Sequence, residues 1–283
     1  MVVAVKQESG MSCSWKINLK TGNFIAFFTI YQFIQRMKTI IITGASRGIG
    51  AATAILAAQK GYSVCVNYFQ NEAAAMQIVH TIEENGGAAM AFKADISSEA
   101  AVLQMFDFVE EEWGYVDALV NNAGILEQQM EFWQMDATRM ERILAVNVMG
   151  SFLCAREAVK RMSPKRGGKG GAIVNVSSIA SRLGSPFEYV DYAASKGAID
   201  TLTIGLGKEV AEQGIRVNAV RPGLIDTDIH ASGGKPNRVE EFKHHIPMKR
   251  GGSPLEVAHS ILWLLSDEAA YITATILDVG GGR

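Results

Sequence analysis

Tyr192 and Lys196 stand four residues apart in the run Tyr192-Ala-Ala-Ser-Lys196. On a helix that spacing puts both side chains on one face. A phenol titrates near ~10, too high to exchange protons readily at neutral pH. A neighbouring ammonium favours the phenolate and lowers that value, which makes a usable acid and base. The plain alternative is a tyrosine and a lysine on a solvated helix face. Upstream, Val176-Ser-Ser178 ends an apolar run. A hydroxyl there can steady a carbonyl oxygen beside the tyrosine, or it can be an ordinary turn serine. Asn147 lies in the otherwise apolar stretch Leu144-Ala-Val-Asn-Val-Met-Gly150. It either bonds within its own helix or holds a water for proton relay.

A second group of residues suits an anion. Ile40, Ile41 and Ile42 read as a buried strand, and Gly44, Gly48 and Gly50 follow at once. Ala51 to Lys60 is rich in helix formers, with Gly61 as a left-handed cap. Strand, glycine turn and helix form the geometry that binds a dinucleotide pyrophosphate. Glycines let the backbone approach the phosphates, and the helix N-terminus offers free N–H groups. By itself such a turn is equally a tight surface connection.

The elements that must hold these groups alternate. Strands are expected at 63–68, 88–93, 116–120, 172–176, 215–220 and 275–279. Helices are expected at 71–84, 99–113, 138–162, 191–213 and from the capping box Ser253-Pro-Leu-Glu256 to about Leu265. Alternation implies right-handed crossovers and an α/β fold: one doubly wound Rossmann domain, a seven-stranded parallel sheet with helices on both faces. Its ligand sits at the carboxyl ends of the strands. Residues 37–283 account for this domain. Residues 1–36 read as an N-terminal appendage outside the fold. Their apolar run Phe24 to Ile34 is too short to span a bilayer, and a secretory signal there lacks a small-residue cleavage site.

The 283 residues are 48% hydrophobic and 20% charged, so a large core is expected and disorder is not. A net charge of -2 argues against broad binding to nucleic acid or an anionic membrane. Cys13, Cys65 and Cys154 are scattered without ligand spacing, which suits a reduced cytoplasmic chain with no metal site. His230, His244 and His245 lack ligand partners and read as exposed or substrate-loop residues. Gly168-Lys-Gly170 precedes a strand and reads as a surface loop.

Taken in order, Thr43-Gly-Ala-Ser-Arg-Gly-Ile-Gly50, Asn121-Asn-Ala-Gly124, Asn147, Ser178, Tyr192-x-x-x-Lys196 and Arg221-Pro-Gly223 resemble the short-chain dehydrogenases/reductases. The resemblance covers nearly all of 37–283. It is similar in particular to NADP-linked 3-oxoacyl-[acyl-carrier-protein] reductases and glucose dehydrogenases. It implies an oxidoreductase that interconverts a carbonyl and an alcohol by hydride transfer from NAD(P). Catalytic roles would fall to Asn147, Ser178, Tyr192 and Lys196. The cofactor would meet Gly44, Ser46, Arg47, Gly48, Ile49, Gly50, Asn67, Tyr68, Asp95, Ile96, Asn122, Ala123, Gly124, Tyr192, Lys196, Pro222, Gly223 and Thr227. A homotetramer is implied as well, with the long helices between subunits. The rival reading is a nucleotide sensor on the same fold, without turnover.

One departure matters. In many relatives the serine lies thirteen residues before the tyrosine, and here Ser178 lies fourteen before Tyr192. Loop 181–190 is expected to absorb the extra residue, with Ser177 as second candidate. No carboxylate closes the second strand at Asn67 or Tyr68, and Arg47 can pair with a 2′-phosphate, so NADP is expected rather than NAD. The stretch Leu224 to Lys249 is expected to cover a small-molecule carbonyl or alcohol substrate, hinged at Gly233-Gly234. Glu188 and Asp191 either bond a polyol or are solvated loop charges; the second is expected.

Overall fold

The structure, a computed structural model, describes residues 4–7, 14–17 and 37–283. The chain divides into two compact units, residues 1–36 and 37–283. In the first, β1 (Ala4–Gln7) pairs antiparallel with β2 (Ser14–Ile17). The apolar run 24–34, expected within an appendage, and Cys13 lie outside the described residues.

The second unit is built on seven strands: β3 (Lys38–Ile42), β4 (Tyr62–Tyr68), β5 (Ala88–Lys93), β6 (Ala118–Asn121), β7 (Gly171–Val176), β8 (Ile215–Pro222) and β9 (Ile276–Val279). All neighbours pair parallel, in the order β5-β4-β3-β6-β7-β8-β9. The order reverses between β3 and β6, which opens a crevice at their carboxyl ends.

Successive strand residues alternate between two cores, as the pleat requires. Ile40, Ile42, Val64, Val66 and Val120 face α1 (Gly48–Gln59), α2 (Glu72–Glu84) and α10 (Pro254–Leu265). Ile41, Cys65, Leu119, Ile173 and Val217 face the other way, toward α3 (Glu99–Trp113) and α5 (Ser151–Met162). A strand buried on both faces must be apolar at every position, which is why Ile40-Ile-Ile42 reads as a run rather than an alternation.

Two expectations need correction. The stretch 138–162 is not one α-helix. It comprises α4 (Ala137–Leu144), a π-helical turn at Ala145–Gly150, and α5. The connections over the crevice also hold short helices that no periodicity announced. These are α6 (Ala180–Leu183) ahead of α7 (Val190–Val210), then α8 (Ile229–Ser232) and α9 (Arg238–Phe242) ahead of α10.

Candidate active site

The carboxyl ends of the strands enclose a cavity of about 1040 Å³. The glycine turn forms one end. Gly44 (φ 62°) and Gly48 (φ 57°) adopt the left-handed region that favours glycine. Helix α1 begins here with Arg47 extended at its N-cap, no side chain capping the free N–H groups, and no acid in the first turn. Bare N–H groups, the positive helix end and close-approach glycines fit a pyrophosphate.

The turn is held from behind. Asn122 donates through Nδ2 to the carbonyls of Thr43 and Gly44, at 2.9 and 3.0 Å. Asn67 accepts the Gly44 N–H at 3.2 Å and donates to Phe92 and Ala94 carbonyls on β5 and beyond. Asp95 accepts the N–H and hydroxyl of Ser97. These side chains therefore shape the cavity wall while already bonded to protein.

Of the residues expected to meet the cofactor, Gly44, Ser46, Arg47, Gly48, Ile49, Asn67, Asp95, Ile96, Asn122, Ala123, Gly124, Tyr192, Lys196, Pro222, Gly223 and Thr227 line the cavity. Gly50 and Tyr68 do not. A Cβ on Gly50 would sit 2.5 Å from Asn122 Nδ2 and 2.6 Å from the Gly44 carbonyl, so this glycine serves close packing behind the turn. Tyr68 is 7% exposed and packs in the core beneath α2. Alternation along β4 gives the cavity Asn67 and Phe69 instead. The missed neighbours at this end are Phe69, Gln70 and Asn71; reading the strand by its pleat would have found Phe69.

The reactive groups meet where β7 and α7 converge. Tyr192 lines the cavity wall, and the Ser178 side chain on the same wall pulls the phenol's pKa down. Ser178 also accepts the Ala180 N–H at 3.1 Å. Ser177 also reaches the cavity but is 2% exposed, and its hydroxyl donates to the Lys196 carbonyl at 3.2 Å. Lys196 is buried, its Nζ 5.6 Å from the Tyr192 ring centroid and donating to the Val176 carbonyl at 2.8 Å.

The expected lowering of the tyrosine is not what the free protein displays. Burial pushes the Tyr192 phenol up to about 12, and the neighbouring Ser178 side chain only partly opposes it. Burial also pushes Lys196 down to about 8, with Asp200 one turn along α7 pulling it back up. In both cases loss of water disfavours the charged form.

Asn147 does not line the cavity, and its side chain bonds outside its own helix. Its Oδ1 accepts the Ile125 N–H at 2.8 Å, and its Nδ2 donates to the Ile125 carbonyl and to Ser195 Oγ at 3.0 and 3.1 Å. A Cβ on Gly124 would lie 3.4 Å from both Asn147 Oδ1 and Lys196 Nζ, so the bare glycine sits close to both groups. The π turn is what aims this side chain across to the 125 loop.

Within the loop expected to absorb the extra residue between Ser178 and Tyr192, Gly184, Ser185 and Phe187 all have positive φ. Glu188 and Asp191 are not the solvated charges expected. Glu188 binds Arg238 of α9 through both oxygens, at 2.9 and 2.5 Å, and Gln129 at 2.9 Å. The Arg238 guanidinium lies over the Tyr189 and Phe242 rings, and Tyr189 donates to the Gly233 carbonyl. Asp191 pairs with buried Arg139. His230 is buried on the covering segment with Nε2 2.8 Å from the Ile225 carbonyl, whereas His244 and His245 are exposed.

A protein-family model described as "Enoyl-(Acyl carrier protein) reductase" matches residues 44–283. The chain is 59% identical over 247 residues to "Uncharacterized oxidoreductase YgfF" of Escherichia coli K12, across 87% of this chain and 100% of that one. It is 37% identical to "Glucose 1-dehydrogenase 2" of Bacillus subtilis, over 87% of this chain and 94% of the relative. A crystal structure of 3-ketoacyl-(acyl-carrier-protein) reductase from Brucella melitensis complexed with NADH superposes with a TM-score of 0.80. It is 33% identical and covers 87% of this chain and 98% of that one.

Proposed function

The chain belongs to the short-chain dehydrogenase/reductase family, NAD(P)-dependent oxidoreductases that interconvert a carbonyl and an alcohol, and on that premise we propose how its residues divide the work. A bound nicotinamide supplies or accepts the hydride. Tyr192 gives its phenolic proton to the carbonyl oxygen as the alcohol forms, and takes it back in the reverse direction. Ser178 holds the same oxygen by its hydroxyl. Lys196 binds the nicotinamide ribose and, being cationic, steadies the phenolate that Tyr192 leaves behind. Asn147 fixes the 125 loop and α7 around that lysine, where the relay water expected from the resemblance would sit at its turn. The observation that carries this assignment is the meeting of Ser178, Tyr192 and Lys196 on one cavity wall, with Lys196 Nζ 5.6 Å from the Tyr192 ring centroid.

The cofactor we assign is NADP. Arg47 lines the pyrophosphate end, is exposed, and makes no side-chain bond among the described residues. Phe69, Gln70 and Asn71 close β4 without a carboxylate that would repel a 2′-phosphate. A cytoplasmic homotetramer is part of the same reading, as is the assignment of residues 1–36 to an appendage beside the catalytic domain. Exposed Leu144, Met149, Phe152 and Ile204 on the α4–α5 stretch and α7 support subunit contacts there.

The test is absorbance at the reduced-nicotinamide band, NADPH against NADH, with a panel of ketones, 3-oxoacyl thioesters and aldoses. Turnover with NADPH on one class is expected. Tyr192→Phe should abolish it while NADPH binding stays measurable; loss of binding along with turnover would overturn the role given to the tyrosine.

A further inference from the structure

Asp191 immediately precedes the tyrosine and is buried against Arg139 of α4; their side chains are 4% and 8% exposed. The pair is bidentate, Nε to Oδ2 at 2.7 Å and Nη2 to Oδ1 at 3.3 Å. The third guanidinium nitrogen, Nη1, donates to the Gln128 carbonyl at 2.6 Å, one residue beyond the cavity-lining run Ile125 to Glu127. Arg139 is itself held, its N–H capped by Asp136 at 2.8 Å.

The carboxylate does a second thing. Helix α7 starts at Val190, so the N–H of Tyr192 has no partner inside the helix. Asp191 Oδ1 accepts it at 2.9 Å. Three residues on, Ser195 Oγ donates back to the Tyr192 carbonyl at 2.7 Å and accepts Asn147 Nδ2 at 3.1 Å. The peptide units on both sides of Tyr192 are thus fixed from one neighbouring stretch, α4 with its π turn. Arg139 acts on one side and Asn147 on the other.

Energetically such a pair is an unlikely choice for stability alone. Desolvating two charges offsets most of their attraction, and apolar side chains of similar volume often do as well or better. What apolar side chains lack is a directed bond to the Tyr192 N–H and to the Gln128 carbonyl.

We propose that Arg139 and Asp191 are positioning residues for the reaction: together they hold the turn that aims the Tyr192 phenol, and tie it to the chain that follows the cavity-lining run Ile125 to Glu127. The inference rests on the role given to Tyr192 above. It assigns the pair no contact with substrate or cofactor.

The experiment compares the full chain with the double variant Arg139→Met/Asp191→Leu, which removes both charges and keeps the volume, and with Arg139→Lys and Asp191→Asn. Three quantities are read: hydrogen exchange of the segment 190–196, NADPH affinity by fluorescence titration, and kcat with KM on a substrate that the wild-type chain turns over. The double variant should melt cooperatively, bind NADPH within about threefold of wild type, exchange faster at 190–196, and lose about 10- to 100-fold in kcat, the scale of a misplacement near 1 Å. Asp191→Asn keeps an acceptor for the Tyr192 N–H and Arg139→Lys keeps the charge, so both should recover part of kcat. Unchanged exchange at 190–196 overturns the proposal. So does faster exchange with kcat unchanged, or a kcat loss matched by an equal loss of NADPH affinity. A wild-type chain that binds NADPH but turns over no substrate counts against the reading of Tyr192, and the exchange result then still decides whether the pair holds the turn.

Discussion

Burial sets Lys196 near 8 and Tyr192 near 12 in the free protein, and that ordering has a readable consequence. Lys196 is cationic below about 8 and loses its charge above it. If it holds the nicotinamide ribose as an ammonium, kcat/KM for NADPH should be flat at neutral pH and fall as pH rises through about 8, and Lys196→Met should remove that limb. Tyr192 keeps its proton throughout that range, so carbonyl reduction never lacks its acid. A second test separates the two serines. Ser178→Ala removes a hydroxyl aimed at the reacting oxygen and should cost about 100- to 1,000-fold in kcat. Ser177→Ala removes only a bond to the Lys196 carbonyl and should cost about 1 kcal/mol in a melt with kcat little changed. At this scale the sequence was partly legible. Residue type and spacing singled out Tyr192, Lys196 and the serine pair. They could not choose within the pair, because both serines reach the cavity and what separates them is the long-range bond of Ser177 to the Lys196 carbonyl. Nor could they foresee that Glu188 and Asp191 find cations, since Arg238 and Arg139 are fifty and fifty-two positions away in the chain.

Elements were legible in proportion to their length and regularity. Strand β5 and helix α3 fall at 88–93 and 99–113, as their patterns predict. The capping box Ser253 with Glu256 opens α10 as its sequence requires. Helices α6, α8 and α9 have four or five residues each, too few for a 3.6-residue period to register. The π turn escaped for a different reason: one surplus residue leaves the apolar stripe almost intact on either side, and only the aim of Asn147 betrays it. The glycine turn offers a test of local propensity against packing. Gly50→Ala improves helix propensity by about 0.5–1 kcal/mol. It also drives a methyl within 2.6 Å of the Gly44 carbonyl and 2.5 Å of Asn122, backbone and side chain that are already bonded to each other. Packing should win. The variant is expected to melt lower and bind NADPH more weakly, although Gly50 lies outside the cavity.

For the molecule as a whole, sheet order decides where chemistry happens. The reversal between β3 and β6 brings the glycine turn, the 122–125 segment and the tyrosine helix to one rim, although they are spread over some 150 positions of sequence. That arrangement was legible because parallel crossovers leave few alternatives. Assembly was not legible from pattern alone. Leu144, Met149, Phe152 and Ile204 are each at least 40% exposed, on faces that no other described element covers. Light scattering should give the mass of a homotetramer, and a monomer would refute that part of the proposal. Charged replacements at Phe152 and Ile204 should shift the mass downward before they change the melt. The π turn at Ala145–Gly150 carries one further consequence, in the currency of insertions and deletions. A single-codon deletion within it would leave a continuous α-helix in good standing with its own hydrogen bonds. Because the π turn already absorbs that residue, α4 and α5 would keep the faces they present, and the change would fall on the turn itself. The Asn147 carboxamide would then lose its aim at Ile125 and Ser195. Such a deletion should therefore leave the melt nearly unchanged while it loosens the 125 loop and α7 around Lys196.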